Sequence, residues 1–374
     1  MTEKHMMYAS GDYSELDSYF TGLGVKHVLL VCDGAIQYLK LDQYFSALEK
    51  RLGIRVIRFT DFQPNPLYES VINGIRCFHE NHCEMIAAVG GGSAMDVAKC
   101  IKLYSNMDNA QKYLKQEIVP NDVPLLAVPT TAGTGSEATR YAVIYYNGEK
   151  QSVADESCIP SAVLIDPSVL KTLPLYQKKA TMMDALCHAI ESYWSVNSTD
   201  ESMEYSKYAI QLILSNMQGY LDNDDEANAN MLRAANIAGR AINITQTTAG
   251  HAMCYKLTSL YGIAHGHAAA LCDAALIPYM ITHCEQCIDP RGAEHLEKVF
   301  VGIAEAFNCD LNALAEQFKT IVGSLNLSSP ELRAPTDIHI LKTSVNPVRL
   351  KNHPIKLTVE VIESLYKQIL NVGE

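Results

Sequence analysis

Two short apolar runs, each followed at once by a loop of small residues, constrain the fold of this chain most strongly. Residues 85–89 (MIAAV) lead directly into Gly90–Ser93, and residues 123–128 (VPLLAV) lead into 129–137 (PTTAGTGSE). Short, nearly continuous apolar runs are typical of strands buried on both faces. When such strands alternate with helical stretches, the pattern indicates βαβ units and a mostly parallel sheet.

The rest of the chain divides into two parts of different character. Strand-like runs at 26–32 (KHVLLVC) and 54–59 (IRVIRF) separate helical patterns at 41–52 and 67–80, and Gly53 is the expected C-cap of the first helix. From about Pro174 onward the patterns are long, helical and rich in Ala and Leu. We therefore expect an α/β + all-α protein, with a Rossmann-like parallel-sheet domain at residues 1–172 and an all-helical domain at residues 173–374.

Composition excludes several classes of partner. The formal net charge is -12 and no basic stripe is visible, which argues against a nucleic-acid partner. The apolar runs are far shorter than the roughly 20 residues that span a bilayer, and residues 1–20 do not resemble a signal peptide. The 11 cysteines are an odd number and are scattered, so we expect reduced thiols and a cytoplasmic protein. Cys284 and Cys287 have the C-x-x-C spacing, which we interpret as ordinary structural thiols.

The two small-residue loops are candidates for binding a dinucleotide. Backbone N–H groups at a helix N-terminus attract phosphate, and glycine lets the ligand approach closely. The candidates are Gly90, Gly91, Gly92 and Ser93 in the first loop, and Thr130, Thr131, Thr134 and Ser136 in the second. Ser93 is also a candidate helix cap. Asp33, after the first strand, could bind a ribose and favour NAD over NADP, although an Asp-Gly turn explains it equally well.

One carboxylate and three imidazoles form a candidate metal site. Asp184 and His188 are four residues apart in a helical stretch, so both side chains lie on one helix face. His251 and His265 lie further along, in a weakly charged stretch rich in Gly and Ala. Such a set suits Fe(II) or Zn(II). A single helical histidine is more often packed or solvated, so the prediction rests on the four residues together.

These motifs resemble those of the iron-containing (group III) alcohol dehydrogenases. The matching segments are GGGSAMDVAK (90–99), PTTAGTGSEAT (129–139), DALCHAIESY (184–193), GHAM (250–253) and AHGHA (264–268). The resemblance covers nearly the whole chain. It implies a nucleotide-binding α/β domain, a helical domain that holds a divalent metal, and a homodimer formed through the first strands.

The resemblance also implies roles for individual residues. The implied metal ligands are Asp184, His188, His251 and His265. The implied cofactor-binding residues include the pyrophosphate loop 90–93 and, on the helix that follows it, Asp96 and Lys99. Residues 130–136 would form the loop on the nicotinamide side. The family often has a further histidine, implicated in proton relay, four residues after its second metal histidine. Tyr255 stands there in this chain. Tyr255 and His267 are therefore the candidates for catalytic proton transfer.

The predicted substrate is a small aldehyde or alcohol. Residues 247–268 most resemble the branch of the family that includes phosphonoacetaldehyde reductases, which form 2-hydroxyethylphosphonate. A phosphonate needs cationic partners. The candidate cations are Arg140, Lys150, Lys256, Arg349 and Lys351. The segment 344–354 resembles a family loop and would also bring Asn346, Asn352 and His353 to the substrate side.

Three alternatives remain open. A general primary-alcohol, lactaldehyde or 1,3-propanediol dehydrogenase would keep the same metal and cofactor. A dehydroquinate-synthase-like lyase shares the architecture, although the fourth ligand position filled by His188 argues against it. The third alternative is a catalytically inactive metal- or nucleotide-binding protein.

Overall fold

The chain folds into two compact units, Met1–Leu173 and Pro174–Glu374. This description is based on a computed structural model and covers residues 5–345 and 347–372. Within those two ranges, no helix combines the length and the apolar character that a membrane span requires.

A parallel sheet of six strands forms the centre of the first unit. The strands of the unit are β1 (His5–Tyr8), β2 (His27–Cys32), β3 (Arg55–Phe59), β4 (Met85–Gly90), β5 (Leu125–Pro129), β6 (Tyr141–Tyr146), β7 (Glu149–Ala154) and β8 (Ala162–Ile165). The sheet order is β1-β8-β5-β4-β2-β3, while β6 and β7 form a separate antiparallel hairpin. Every residue of β4 and β5 is buried, as their apolar sequences predict. The predicted parallel sheet is therefore confirmed, although β1, the hairpin and β8 were not predicted.

Four helices connect and cover this sheet. They are α1 (Ser14–Leu23), α2 (Lys40–Leu52), α3 (Tyr68–Glu80) and α4 (Gly92–Tyr104). Gly53 caps α2 with a left-handed backbone (φ 67°), as expected. The N-cap of α4 is Gly91, and no side chain caps this helix. Ser93 lies inside the first turn, so its predicted capping role is wrong.

The second unit contains helices and no β-strand among its described residues, as predicted. Its helices are α5 (Leu175–Trp194), α6 (Asp200–Leu221), α7 (Asp225–Thr245), α8 (Ala249–Tyr261), α9 (His265–Thr282), α10 (Ala293–Ala306), α11 (Leu311–Ser324), α12 (Thr336–Thr343), α13 (Pro347–Leu350) and α14 (Val359–Ile369). The second half of α5 is entirely buried, from Met182 to Trp194, and packs against α6, α7 and α9. A helix buried on all sides places its polar residues in the interior, where they need partners.

Candidate active site

Four side chains from three helices converge inside the helical unit. Asp184 and His188 lie one turn apart on α5, His251 is in the first turn of α8, and His265 is the first residue of α9. The potential ligand atoms of the first three residues all lie within 4.8 Å of one another. His265 Nε2 is 3.9 Å from Asp184 Oδ1, and its side chain is 37% exposed, whereas the other three are buried. The structure thus brings the four predicted ligands together, with His265 on the side open to solvent.

The polar atoms of this cluster suit a divalent metal ion. Asp184 Oδ1 and His251 Nε2 are both buried and lack a hydrogen-bond partner among the described residues. They face each other at 3.4 Å. Burial alone would raise the pKa of Asp184, but nearby His188 and His251 hold it well below its usual range. An ionised carboxylate that faces imidazole nitrogens is a donor set for Fe(II) or Zn(II).

Glu191 orients His251 from behind and was not predicted from the sequence. Its carboxylate is fully buried and accepts a hydrogen bond from His251 Nδ1. It also accepts from the Thr248 amide (2.6 Å), the Thr248 hydroxyl (2.7 Å) and the His251 amide (3.0 Å). With a proton on Nδ1, Nε2 is the ring nitrogen that faces Asp184 and that a metal ion could use. Partners of this kind fix the tautomer of a metal-ligating histidine. The available signal was spacing, since Glu191 follows His188 by three residues on the same helix face.

Two glycines allow the three helices to meet this closely. A Cβ atom on Gly266 would lie 2.0 Å from the Ala180 carbonyl oxygen and 2.6 Å from Asp184 Cβ. One on Gly250 would lie 2.0 Å from Asp273 Oδ1 and 2.6 Å from Glu191 Oε1. Each glycine stands next to a candidate ligand, His265 or His251. The Gly-His pairs of the two motifs therefore reflect close packing around the cluster.

Arg349 is the predicted substrate cation that the structure brings near the cluster. Its Nη1 atom donates to Thr247 Oγ1 (2.6 Å), and its Cζ atom is 5.7 Å from the centroid of the Tyr255 ring. Tyr255 in turn stacks on His265, with centroids 5.3 Å apart and planes at 24°. Asn352, three residues after Arg349, donates to Gln246 Oε1 and to the Thr247 carbonyl.

The other predicted substrate residues have different environments. Arg140 belongs to the first unit, where it forms an ion pair with Glu156 (2.7 Å), and Lys150 lies in β7. Lys256 is half-buried on α8 and Lys351 is exposed. His353 is fully buried and packs edge-on against Trp194, which excludes it as a solvent-facing substrate residue. Asn346 lies outside the described residues.

Both ring nitrogens of His267 form hydrogen bonds within the protein. Nε2 is 3.0 Å from the Ser328 carbonyl, which only accepts, so Nε2 carries the proton. Nδ1 then accepts from the Tyr176 hydroxyl (3.1 Å), which itself accepts from the Ala264 amide (2.9 Å). Burial lowers the pKa of His267. This geometry anchors the start of α9 next to His265, and the proton-transfer role of His267 stays a prediction.

The predicted dinucleotide loops lie side by side in the first unit, at the carboxyl ends of β2, β4 and β5. The Thr130 amide donates to the Gly90 carbonyl (3.0 Å). A Cβ atom on Gly91 would lie 3.4 Å from Thr131 Oγ1, and one on Gly92 would lie 3.0 Å from Thr134 Cγ2.

Asp33 also lies at this edge of the sheet. A Cβ atom added to Gly90 would lie 3.9 Å from Asp33 Oδ2. Asp33 Oδ1 accepts a hydrogen bond from the Ala35 amide (2.8 Å). The exposed carboxylate is therefore both the Asp-Gly turn residue and a group near the glycine loop. The turn interpretation is thus seen in the structure, while ribose binding by Asp33 stays a prediction.

Lys99 and Asp96 form hydrogen bonds with other residues of the first unit. Lys99 is fully buried, and its Nζ atom contacts Ser136 Oγ (2.9 Å), the Thr139 carbonyl (2.8 Å) and hydroxyl (3.1 Å) and the Tyr141 carbonyl (2.8 Å). Ser136 also donates to Asp96 Oδ1 (3.2 Å). An ammonium group has three protons, so four protein oxygens occupy them all. These contacts tie the second loop to α4, and the cofactor-binding role implied for Asp96 and Lys99 stays a prediction.

Comparison with known families assigns both units. Residues 4–167 match the family described as iron-containing alcohol dehydrogenase, and residues 178–370 match the C-terminal domain of the same family. Alcohol dehydrogenase 4 of Schizosaccharomyces pombe is 32% identical over 282 residues, which are 73% of this chain and 65% of that protein. Phosphonoacetaldehyde reductase of Streptomyces viridochromogenes is 33% identical over 235 residues, which are 59% of this chain and 60% of that protein. The alignments thus span less than two thirds of either relative.

Solved structures share the fold over nearly the whole chain. A sulfoacetaldehyde reductase from Bifidobacterium kashiwanohense, in complex with NAD+, superposes with a TM-score of 0.87. It is 24% identical, and the match covers 99% of this chain and 98% of that chain. At this level of identity the similarity establishes the architecture alone.

Proposed function

The chain belongs to the iron-containing alcohol dehydrogenase family, and we propose that it is a metal-dependent reductase that transfers hydride from NADH to a small aldehyde. The observation that carries this proposal is the convergence of Asp184, His188, His251 and His265, in which the buried atoms Asp184 Oδ1 and His251 Nε2 face each other at 3.4 Å. Fe(II) or Zn(II) fits this donor set. A homodimer and a cytoplasmic location are further proposals, based on the family resemblance and on the 11 free cysteines.

The residues of the chain divide the work of such a reaction. When bound, the metal would polarise the carbonyl oxygen as a Lewis acid, and NADH would supply the hydride. Glu191 holds the Nδ1 proton of His251, which keeps Nε2 available as a ligand. The ring of His265 is partly exposed, so a substrate would approach the cluster from the side of His265. Asp33, near the glycine loop, would repel a 2′-phosphate and so favour NAD over NADP.

We further propose that the substrate is phosphonoacetaldehyde, reduced to 2-hydroxyethylphosphonate. Arg349 supports this choice because its partners, Thr247 and the Tyr255 ring, are neutral. Among the described residues it forms no ion pair with an acid. A guanidinium whose charge is not neutralised by the protein can bind a phosphonate through charge-assisted hydrogen bonds. The Streptomyces relative is named as a reductase of this aldehyde.

A neutral alcohol or aldehyde is the second candidate. The Schizosaccharomyces relative, named as an alcohol dehydrogenase, matches a larger part of this chain than the phosphonate enzyme does. Such a substrate would need the metal cluster and the cofactor loops but not Arg349. The two candidates therefore differ in one measurable respect, which is the contribution of the guanidinium.

The test is anaerobic NADH oxidation by metal-loaded protein with four aldehydes. Phosphonoacetaldehyde is compared with acetaldehyde, lactaldehyde and 3-hydroxypropanal. We expect its kcat/KM to exceed the others by about 100-fold, since charge-assisted hydrogen bonds contribute about 1.5–3 kcal/mol each. In Arg349→Gln this advantage should disappear. Arg233→Gln, which removes an exposed arginine from α7, is the matched control and should change nothing.

The outcomes separate the alternatives. Equal or better turnover of the neutral aldehydes would contradict the phosphonate proposal and favour a general alcohol dehydrogenase. Absence of net NADH oxidation with every aldehyde would contradict the reductase itself and favour a lyase or an inactive binding protein.

A further inference from the structure

The ring of Tyr255 contacts both a candidate metal ligand and the candidate substrate cation. It stacks on the imidazole of His265 at 5.3 Å and lies 5.7 Å from the guanidinium carbon of Arg349. Near-parallel ring stacking and cation–π contact both depend on the face of the aromatic ring. The ring therefore connects the metal cluster to the cation directly.

Two contacts from the described residues position the Arg349 side chain, one from Thr247 and one from the Tyr255 ring. Arg349 lies in the four-residue helix α13, and among the described residues its guanidinium donates one hydrogen bond, to the hydroxyl of the buried residue Thr247. An arginine side chain carries about 2 kcal/mol of rotamer entropy, so one hydrogen bond leaves much freedom. The Tyr255 ring supplies a second, planar surface that restricts the guanidinium.

We infer that Tyr255 is a positioning residue, which holds Arg349 at a fixed place beside His265 and so gives the site its preference for anionic aldehydes. This inference rests on the proposed function, because it concerns how that site selects its substrate. It also replaces the expectation that Tyr255 transfers a proton. Positioning depends on the ring, whereas proton transfer depends on the hydroxyl.

Three substitutions at position 255 separate these roles. Tyr255→Phe keeps the ring and removes the hydroxyl, while Tyr255→Leu and Tyr255→Met remove the ring and keep most of the volume. We expect Phe to leave kcat and KM within about threefold of wild type for every aldehyde. Leu and Met should raise KM for phosphonoacetaldehyde about tenfold, as loss of a partly desolvated cation–π contact implies. The KM for acetaldehyde should rise less than the KM for phosphonoacetaldehyde in these two variants, because a neutral substrate does not use Arg349.

A binding measurement makes the test independent of turnover. Methylphosphonate has no carbonyl group, and its dissociation constant for the metal-loaded protein with NADH can be measured by calorimetry. We expect Phe to bind it as wild type does and Leu to bind it about tenfold more weakly, with unchanged metal content. A double-mutant cycle then asks whether Tyr255 acts through Arg349. Arg349→Gln combined with Tyr255→Leu should be no weaker than Arg349→Gln alone.

Several results would overturn the inference. A drop of tenfold or more in kcat for all aldehydes in Tyr255→Phe would assign the hydroxyl a catalytic role. Additive effects in the double-mutant cycle would show that the ring acts elsewhere than on Arg349. If wild type shows no preference for phosphonoacetaldehyde, the proposed substrate fails, and the methylphosphonate cycle still decides the role of Tyr255 by itself.

Discussion

Replacement of Glu191 by glutamine tests whether the metal site depends on the carboxylate behind it. Glu191 accepts four hydrogen bonds, two from Thr248 and two from His251. Glutamine has the same shape but only one accepting oxygen. If that oxygen faces Thr248, the new amide protons point at the amide and Nδ1 protons of His251. His251 must then turn or change its tautomer, which removes Nε2 from its place opposite Asp184.

The magnitude follows from the behaviour of such partners in metal sites. Their loss usually weakens metal affinity by about 10–100-fold, which corresponds to about 1.4–2.7 kcal/mol. The assay is a zinc titration of metal-free protein against a competing chelator. The matched control is Glu204→Gln, which changes an exposed glutamate on α6. A dissociation constant within threefold of wild type in a folded Glu191→Gln variant would show that metal binding does not depend on the Glu191 carboxylate.

Three further perturbations test other parts of the structure. Gly250→Ala should lower the thermal midpoint by several degrees and weaken metal binding, because its Cβ would collide with Asp273, whereas Gly323→Ala has open space and should leave both unchanged or slightly improved. Asp33→Gly should raise the ratio of kcat/KM for NADPH to that for NADH by about tenfold, since a carboxylate repels the 2′-phosphate; an unchanged ratio would place Asp33 away from the ribose. Burial lowers the pKa of His353 to about 4, so the unfolded chain binds its proton more readily and stability should fall as pH drops from about 6.5 to 4. Chemical denaturation should show a loss of about 3 kcal/mol over this range that His353→Leu lacks, and identical pH profiles would contradict this origin.

The metal cluster was accessible from the sequence because its signals are local or belong to motifs. Asp184 and His188 share a helix face by spacing alone, and His251 and His265 lie in motifs whose glycines permit close helix packing. The parallel sheet was accessible for a similar reason, since its central strands are continuous apolar runs. The edge strand His5–Tyr8 is short and mainly outside the core, so its sequence carries little signal.

The remaining contacts depend on residues far apart in the chain. Glu191 looks like any other helical acid until the α8 segment packs against it. Lys99 resembles a phosphate ligand in a glycine-rich motif, yet its acceptors come from residues 136–141. His267 meets Tyr176 and Ser328, which are 91 and 61 residues away. No spacing rule reports such pairings, because they arise only when the elements pack.

A single titration tests whether the reduction of an aldehyde by this protein depends on a bound metal ion. Fe(II) is added anaerobically to metal-free protein while bound metal and the rate of NADH oxidation with phosphonoacetaldehyde are followed together. We predict saturation at one ion per chain, with activity proportional to bound metal, and loss of both in Asp184→Ala and His265→Ala. Full NADH oxidation by metal-free protein, or by either variant without bound metal, would contradict it.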